Sequence, residues 1–128
     1  MGTGTSIGRV RGLGSAKEGA HHWLHQRMTA GSNFLLMTWF MISIARLPGY
    51  DYATVRYWLS SVWVALPMAL LVLSVFTHFR MGLQVVIEDY QHDESRIVAL
   101  VLRNVWAYGL GALAIFSILK VAFTGAAA

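Results

Sequence analysis

The sequence predicts an all-α integral membrane protein: three transmembrane helices with a short N-terminal cytoplasmic segment. Two observations carry the membrane class. Of 128 residues, 56% are hydrophobic and only 12% charged, and the mean hydropathy is +0.54. That is too little charge to coat a soluble domain of this size. The apolar residues also gather into three stretches, each near the roughly 20 residues a helix needs to cross the hydrocarbon core.

Residues 1–27 form the leading segment. Its first twenty residues, MGTGTSIGRVRGLGSAKEGA, are rich in glycine, carry Arg9, Arg11 and Lys17, and contain no apolar run of the kind a secretory signal needs. They read as a cytoplasmic tail. Within it, Ser15 to Glu18 spells SAKE, a capping box that predicts a short amphipathic helix ahead of the first span. Residues 28–123 form the membrane domain. The first span covers about 28–47 and stops at Pro48 and Gly49, in the turn PGYDY. The second covers about 58–87, long enough to tilt or to extend past the interface. The third covers about 97–123 and follows the polar turn EDYQHDES, where Asp93 or Ser95 is placed to cap it. Trp23, Trp39, Trp58, Trp106, Tyr50, Tyr52 and Tyr57 fall mostly near span ends, as an aromatic belt at the lipid headgroups would.

Charge sets the orientation. Arg9, Arg11, Lys17, Arg27, Arg96 and Arg103 fall on one side, Arg46, Arg56 and Lys120 on the other, and Arg80 lies inside a span. The richer side is cytoplasmic. The chain is therefore expected in a bacterial cytoplasmic membrane, N-terminus inside and C-terminus periplasmic. The net charge of +4 is scattered around the apolar runs and forms no patch, which excludes nucleic acid and fits contact with anionic membrane lipid. With no cysteine in the chain, disulfides, thiolate metal sites and cysteine nucleophiles are excluded.

The chemistry concentrates in THFRMGLQVVIEDYQHDE, Thr77 to Glu94. A polar group facing lipid is costly, so an intramembrane histidine faces a partner, a cavity or a cofactor. His78 precedes Asp89 by 11 residues, about 1100° of helical rotation, within roughly 20° of three full turns, so both share one face. Gly82 lies one turn after His78 on that stripe, where the missing side chain lets a flat, bulky group approach the backbone. A rise of about 16 Å puts His78 deep in the membrane when Asp89 is at its edge. A neutral imidazole there suits an axial ligand to haem iron. A phenol and a carboxylate at the edge suit a ubiquinone headgroup, with Tyr90 donating a hydrogen bond to a carbonyl oxygen and Asp89 orienting the phenol or relaying protons. On the residues alone, other readings stand beside these. His78 can bond a neighbouring helix, EDYQHDE can be a solvated loop, and Arg80 can snorkel or pair with an acid or a cofactor carboxylate.

His78 followed by MGLQVVIEDY, with the opening GSAKEGAHHWLHQRMTA, resembles the small hydrophobic membrane-anchor subunits of succinate dehydrogenase, respiratory complex II, in their alphaproteobacterial and mitochondrial branch. The likeness runs from about Gly14 to Phe123. It implies a role in electron transport and the tricarboxylic acid cycle. By that resemblance His78 is the haem b axial ligand, and Tyr90 hydrogen-bonds ubiquinone with Asp89 beside it; Gly82 joins the haem pocket through its place on the His78 stripe. His21 and Arg27, six residues apart, are implied near the haem propionates, with His22 and His25 as rivals. A bis-histidine haem needs two imidazoles and this chain offers one at membrane depth. The second ligand is then expected from the family's other membrane anchor, its cytochrome b subunit, the haem being shared. With no flavin motif and no cysteine for iron–sulfur clusters, the chain is not expected to oxidise succinate alone. It is expected to hold the flavoprotein and iron–sulfur subunits on the membrane. The competing readings are a haem-free helical anchor and a small oligomeric transporter using His78 and Arg80 as a polar path.

Overall fold

The computed structural model describes residues 5–7 and 19–125, and within residues 19–125 the chain is helical and contains no strand. Four helices follow in order: α1 Gly19–Ala45, α2 Tyr52–Ser60, α3 Val62–Tyr90 and α4 Asp93–Thr124. The three long ones are long and apolar enough to cross a membrane. At 1.5 Å per residue they measure about 40, 44 and 48 Å, more than the roughly 30 Å of a hydrocarbon core, so each must tilt or protrude. The SAKE sequence lies outside the described residues. The first helix starts nine residues before the apolar window, because backbone hydrogen bonding carries α1 through GAHHWLHQR into the span without a break.

Where the sequence suggests one continuous second span from residue 58, the chain instead makes two helices. Ser61 is extended, with φ −71° and ψ 129°, and its amide closes α2 on the Trp58 carbonyl. The cause is local. The Ser60 hydroxyl donates to the Tyr57 carbonyl at 2.7 Å, and serine pairs offer the backbone partners outside the helical ladder. The Ser61 carbonyl then receives the amides of Val64 and Ala65, at 2.9 and 2.8 Å, and starts α3. Pro67 falls in the second turn of α3 and brings no amide to the helical ladder there, yet the helix runs on through it. At the front of α2, Asp51 caps the helix. Its carboxylate accepts from the Thr54 amide at 3.0 Å and the Thr54 hydroxyl at 2.7 Å. These bonds, the hydroxyl's first, hold the Asp51 carboxyl below its ordinary pKa.

Two residues, Gln91 and His92, join α3 to α4, making an antiparallel helical hairpin. The cap position of α4 falls to His92 and not to Asp93 or Ser95. Ser95 turns back, its hydroxyl donating to the His92 carbonyl at 2.6 Å. Asp93 takes a left-handed φ of 54°, which aspartate tolerates better than most residues.

The arrangement is built around α3. It packs against α1 on one side and α4 on another, while α1 and α4 do not touch. The buried residues of α3 are Ala65, Leu71, Met81 and Ile87, with Leu71 and Met81 on the face shared with His78 and Ile87 opposite, and α4 buries Ala107, Gly111 and Ile118. At Gly111 an added Cβ would sit 3.4 Å from the Phe76 ring, so the missing side chain sets how closely the pair approaches. Beyond the far end of the α3–α4 seam, α2 packs on both helices. There the Arg56 guanidinium donates to the Thr124 carbonyl at 3.3 Å, and an added Cβ on Gly125 would meet Ser60 at 2.7 Å. The outward faces carry Phe34, Leu35, Met41, Trp63, Phe116 and Phe123, all exposed, as suits lipid or apolar protein neighbours.

Candidate functional site

His78 stands half-buried on the α1 side of α3. Its Nδ1 lies 3.0 Å from the Thr29 hydroxyl oxygen of α1. One turn earlier on α3, the Ser74 hydroxyl donates to the Thr29 carbonyl at 3.4 Å. Successive turns of α3 thus hold the same residue of α1. Nε2 of His78 has no hydrogen-bond partner among the described residues.

Beside the ring runs an open groove of about 400 Å³, lined by Trp23, Gln26, Arg27, Ala30 and His78. The Arg27 guanidinium lies over the Trp23 ring, 5.2 Å from its centroid, a cation–π contact that keeps the charge at the groove wall. His78 and Arg27, distant in sequence, therefore share one groove. His21 is exposed and does not line it, and His25 is likewise exposed. His22 is half-buried, with its Nε2 enclosed and unpartnered. Gly82, one turn from His78, faces open space, since an added Cβ would meet nothing within 4 Å. No group of three or more metal-ligating side chains occurs among the described residues.

Asp89 and Tyr90 end α3, and both are exposed, Tyr90 at 77%. Neither has a hydrogen-bond partner among the described residues. Their neighbour Glu88 is engaged, its carboxylate accepting from the Gln84 amide at 2.8 Å. The phenol and the imidazole thus stand on one helix, separated by about 18 Å of rise.

Arg80 lies across α3 from His78. Two residues of helix are about 200° of rotation, and the guanidinium sits over the Tyr108 ring of α4 at 5.2 Å. It lines a different groove, with Thr77, Phe76 and Gly111. It makes no ion pair among the described residues.

Sequence reasoning missed Arg103, which charge counting takes as an orientation signal on the cytoplasmic side. It is buried between α3 and α4 at 7% exposure. Its guanidinium donates to the Arg80 carbonyl at 3.3 Å, the Gln84 side-chain oxygen at 3.1 Å and the Asn104 side-chain oxygen at 2.8 Å. The signal that finds it is the stripe Arg103, Ala107, Gly111 and Ile118, spaced by four, four and seven residues on one helical face. Thr29 was missed too, and no local pattern marks it, because its partner lies 49 residues away.

A family model described as succinate dehydrogenase/fumarate reductase transmembrane subunit matches residues 1–123. The succinate dehydrogenase hydrophobic membrane anchor subunit of Rickettsia bellii is 34% identical over 84 residues, 66% of this chain and 67% of that protein. The protein of the same description from Paracoccus denitrificans is 30% identical over 112 residues, 87% of this chain and 86% of that one. A third, from Rickettsia conorii, is 32% identical over 85 residues, 66% of this chain and 68% of that one. No solved structure matches the chain.

Proposed function

This chain belongs to the family of succinate dehydrogenase/fumarate reductase transmembrane subunits, and from that membership we propose what it does within a succinate:ubiquinone oxidoreductase. It anchors the flavoprotein and iron–sulfur subunits in the bacterial cytoplasmic membrane. It shares a b-type haem with a second membrane anchor, the cytochrome b subunit, and forms part of the ubiquinone-reduction site.

The observation that carries the haem reading is His78, a half-buried imidazole with one nitrogen engaged, the other unpartnered, and an open groove beside it. The residues present fit a haem. A single exposed lone pair suits one axial position, Arg27 brings a cation to the same groove for the propionates, and the open space at Gly82 leaves room for a flat ring. His21 is the further propionate candidate on the same helix. Haem, when bound, supplies one-electron storage beside the path to the quinone. His78 would hold the haem through Nε2, together with a residue of the partner anchor. Arg80, on the opposite side of α3, is not placed to balance a propionate in this groove.

Tyr90 and Asp89 act at the edge of the membrane. The phenol donates to a quinone carbonyl, and the free carboxylate of Asp89 orients the phenol or delivers a proton as the quinone is reduced. With Arg103 buried and set aside, Arg9, Arg11, Lys17, Arg27 and Arg96 still outnumber Arg46, Arg56 and Lys120. That supports an N-terminus in the cytoplasm, with the Asp89–Tyr90 end of α3 on the side from which protons are drawn. The chain's lack of cysteine and of any flavin motif leaves succinate oxidation to its partners.

Purification in mild detergent, with subunit identification and a reduced-minus-oxidised spectrum, tests the reading. The expected result is co-purification with a flavoprotein, an iron–sulfur protein and a second anchor, with a b-type band lost in His78→Ala. A homo-oligomer free of those partners, or an undiminished band in His78→Ala, overturns it.

A further inference from the structure

We propose that Thr29 is a positioning residue for the haem: it fixes the tautomer and plane of the His78 imidazole so that the Nε2 lone pair is presented to iron. The inference rests on the haem reading above and deepens it.

The argument is an accounting of protons. A threonine hydroxyl has one proton to donate and lone pairs to accept with. The Thr29 oxygen lies 3.0 Å from the His25 carbonyl and 3.0 Å from the Gln26 carbonyl. Both carbonyls only accept, so the hydroxyl proton is directed to them. The third neighbour, 3.0 Å away, is Nδ1 of His78, and it meets lone pairs. Nδ1 therefore carries the ring proton and donates. A neutral imidazole protonated at Nδ1 has its free lone pair at Nε2, the nitrogen left without a partner.

The placement is stiff as well as directional. The Thr29 carbonyl is held by Ser74, one turn from His78 on the same face of α3, so ring and hydroxyl cannot slide past each other without breaking two contacts. Gln26 and Ala30, which flank Thr29 along α1, line the groove together with His78. Histidines that ligate metals regularly donate their other ring N–H to a fixed acceptor, which orients the ring and raises its basicity. Here the acceptor is a hydroxyl that itself donates onward to a helix carbonyl, and such chains polarise each link. The consequence has a sign. A more basic imidazole favours ferric over ferrous iron, so removing the hydroxyl moves the midpoint potential upward.

The test uses the complete purified complex bearing Thr29→Val, Thr29→Ser or His78→Ala. It reads haem per flavin, the potential of the b-type band, and the low-spin ferric electron paramagnetic resonance spectrum, which reports ring orientation. Thr29→Val is expected to weaken haem retention by about 10- to 100-fold. Molecules that keep haem should show a raised potential, a tenfold change in the ferric-to-ferrous ratio corresponding to about 59 mV. Thr29→Ser, which keeps the hydroxyl, should restore both. Unchanged haem content, potential and spectrum in Thr29→Val overturns the role of Thr29 and leaves the haem reading standing. An undiminished b-type spectrum in His78→Ala overturns the haem reading itself. Should Thr29→Val fail to assemble, Thr29→Ala is read by the same measurements: lowered haem content with a raised potential supports the role, and unchanged values overturn it.

Discussion

Replacing Gln84 with leucine is expected to loosen the α3–α4 pair, and replacing Arg103 as well is expected to tighten it again. Arg103 is almost fully buried and cannot shed its charge at neutral pH. Its acceptors are the Arg80 carbonyl, Gln84 and Asn104, while its Nε has none. Gln84→Leu removes one acceptor and leaves the charge where it is. A hydrogen bond to a charged group contributes about 1.5–3 kcal/mol in soluble proteins, and side-chain bonds within membranes average about 0.6 with a ceiling near 1.7 kcal/mol. The loss should then be about 1.5 kcal/mol, roughly a tenfold shift in the unfolding equilibrium. Arg103→Met removes the charge together with its desolvation cost, and a buried ion replaced by an apolar side chain is often neutral or stabilising. In the Arg103→Met single variant Gln84 keeps its bond to Glu88. In the double variant Glu88 loses that bond but is exposed to solvent, and no buried charge is left stranded, so its stability should return close to wild type. The assay is unfolding of the anchor domain in mixed micelles of graded sodium dodecyl sulfate, followed by tryptophan fluorescence across the four proteins of a double-mutant cycle. A Gln84→Leu protein as stable as wild type refutes the reasoning. So does a double variant no better than Gln84→Leu alone.

Tyr90→Phe should lower quinone reductase activity about 10- to 100-fold while succinate oxidation by a soluble dye persists, and equal loss of both would assign the residue to assembly. Gly82→Leu should fill the open space beside His78 and lower haem content in a complex that still assembles, with Gly82→Ala milder; full haem in Gly82→Leu would show that the clearing is not used. Asp51 supplies a pH test. Its folded pKa is depressed, so its contribution to α2 is complete above the ordinary carboxylate range and disappears as pH falls through the lowered value. The protection of the Thr54 amide, its exchange rate measured against the intrinsic rate at each pH, should therefore be high and flat with respect to this group near neutrality and fall in acid, and in Asp51→Ala it should be low throughout; a protected amide in Asp51→Ala would contradict the cap.

The three spans were legible because lipid leaves a backbone few choices: each apolar stretch of sufficient length must satisfy its own hydrogen bonds as a helix. The interruption at Ser61 was hidden for the same reason, since Trp58, Leu59, Val62 and Trp63 keep the stretch apolar across it. The Ser60 hydroxyl and the extended backbone of Ser61 redirect the chain without altering its mean hydropathy. Helical rotation alone places His78 and Asp89 on one stripe and sends Arg80 the other way. Arg103 misled because a cation near a span end reads as a topology signal, and only packing reveals that it points into the seam. The Thr29–His78 contact joins residues 49 apart, and neither residue type carries a local mark of the other.

Because α1 touches α3 and not α4, the first helix to leave the ribosome has no docking face within the chain until the third one arrives. At roughly 5–20 residues per second, Thr29 waits about 3–10 s for His78 to be synthesised. During that interval α1 stands alone in lipid with Asn33, a half-buried amide whose oxygen has no partner among the described residues of the folded chain. The groove, which draws its walls from both helices, comes into being only when the second half of the chain has entered the bilayer.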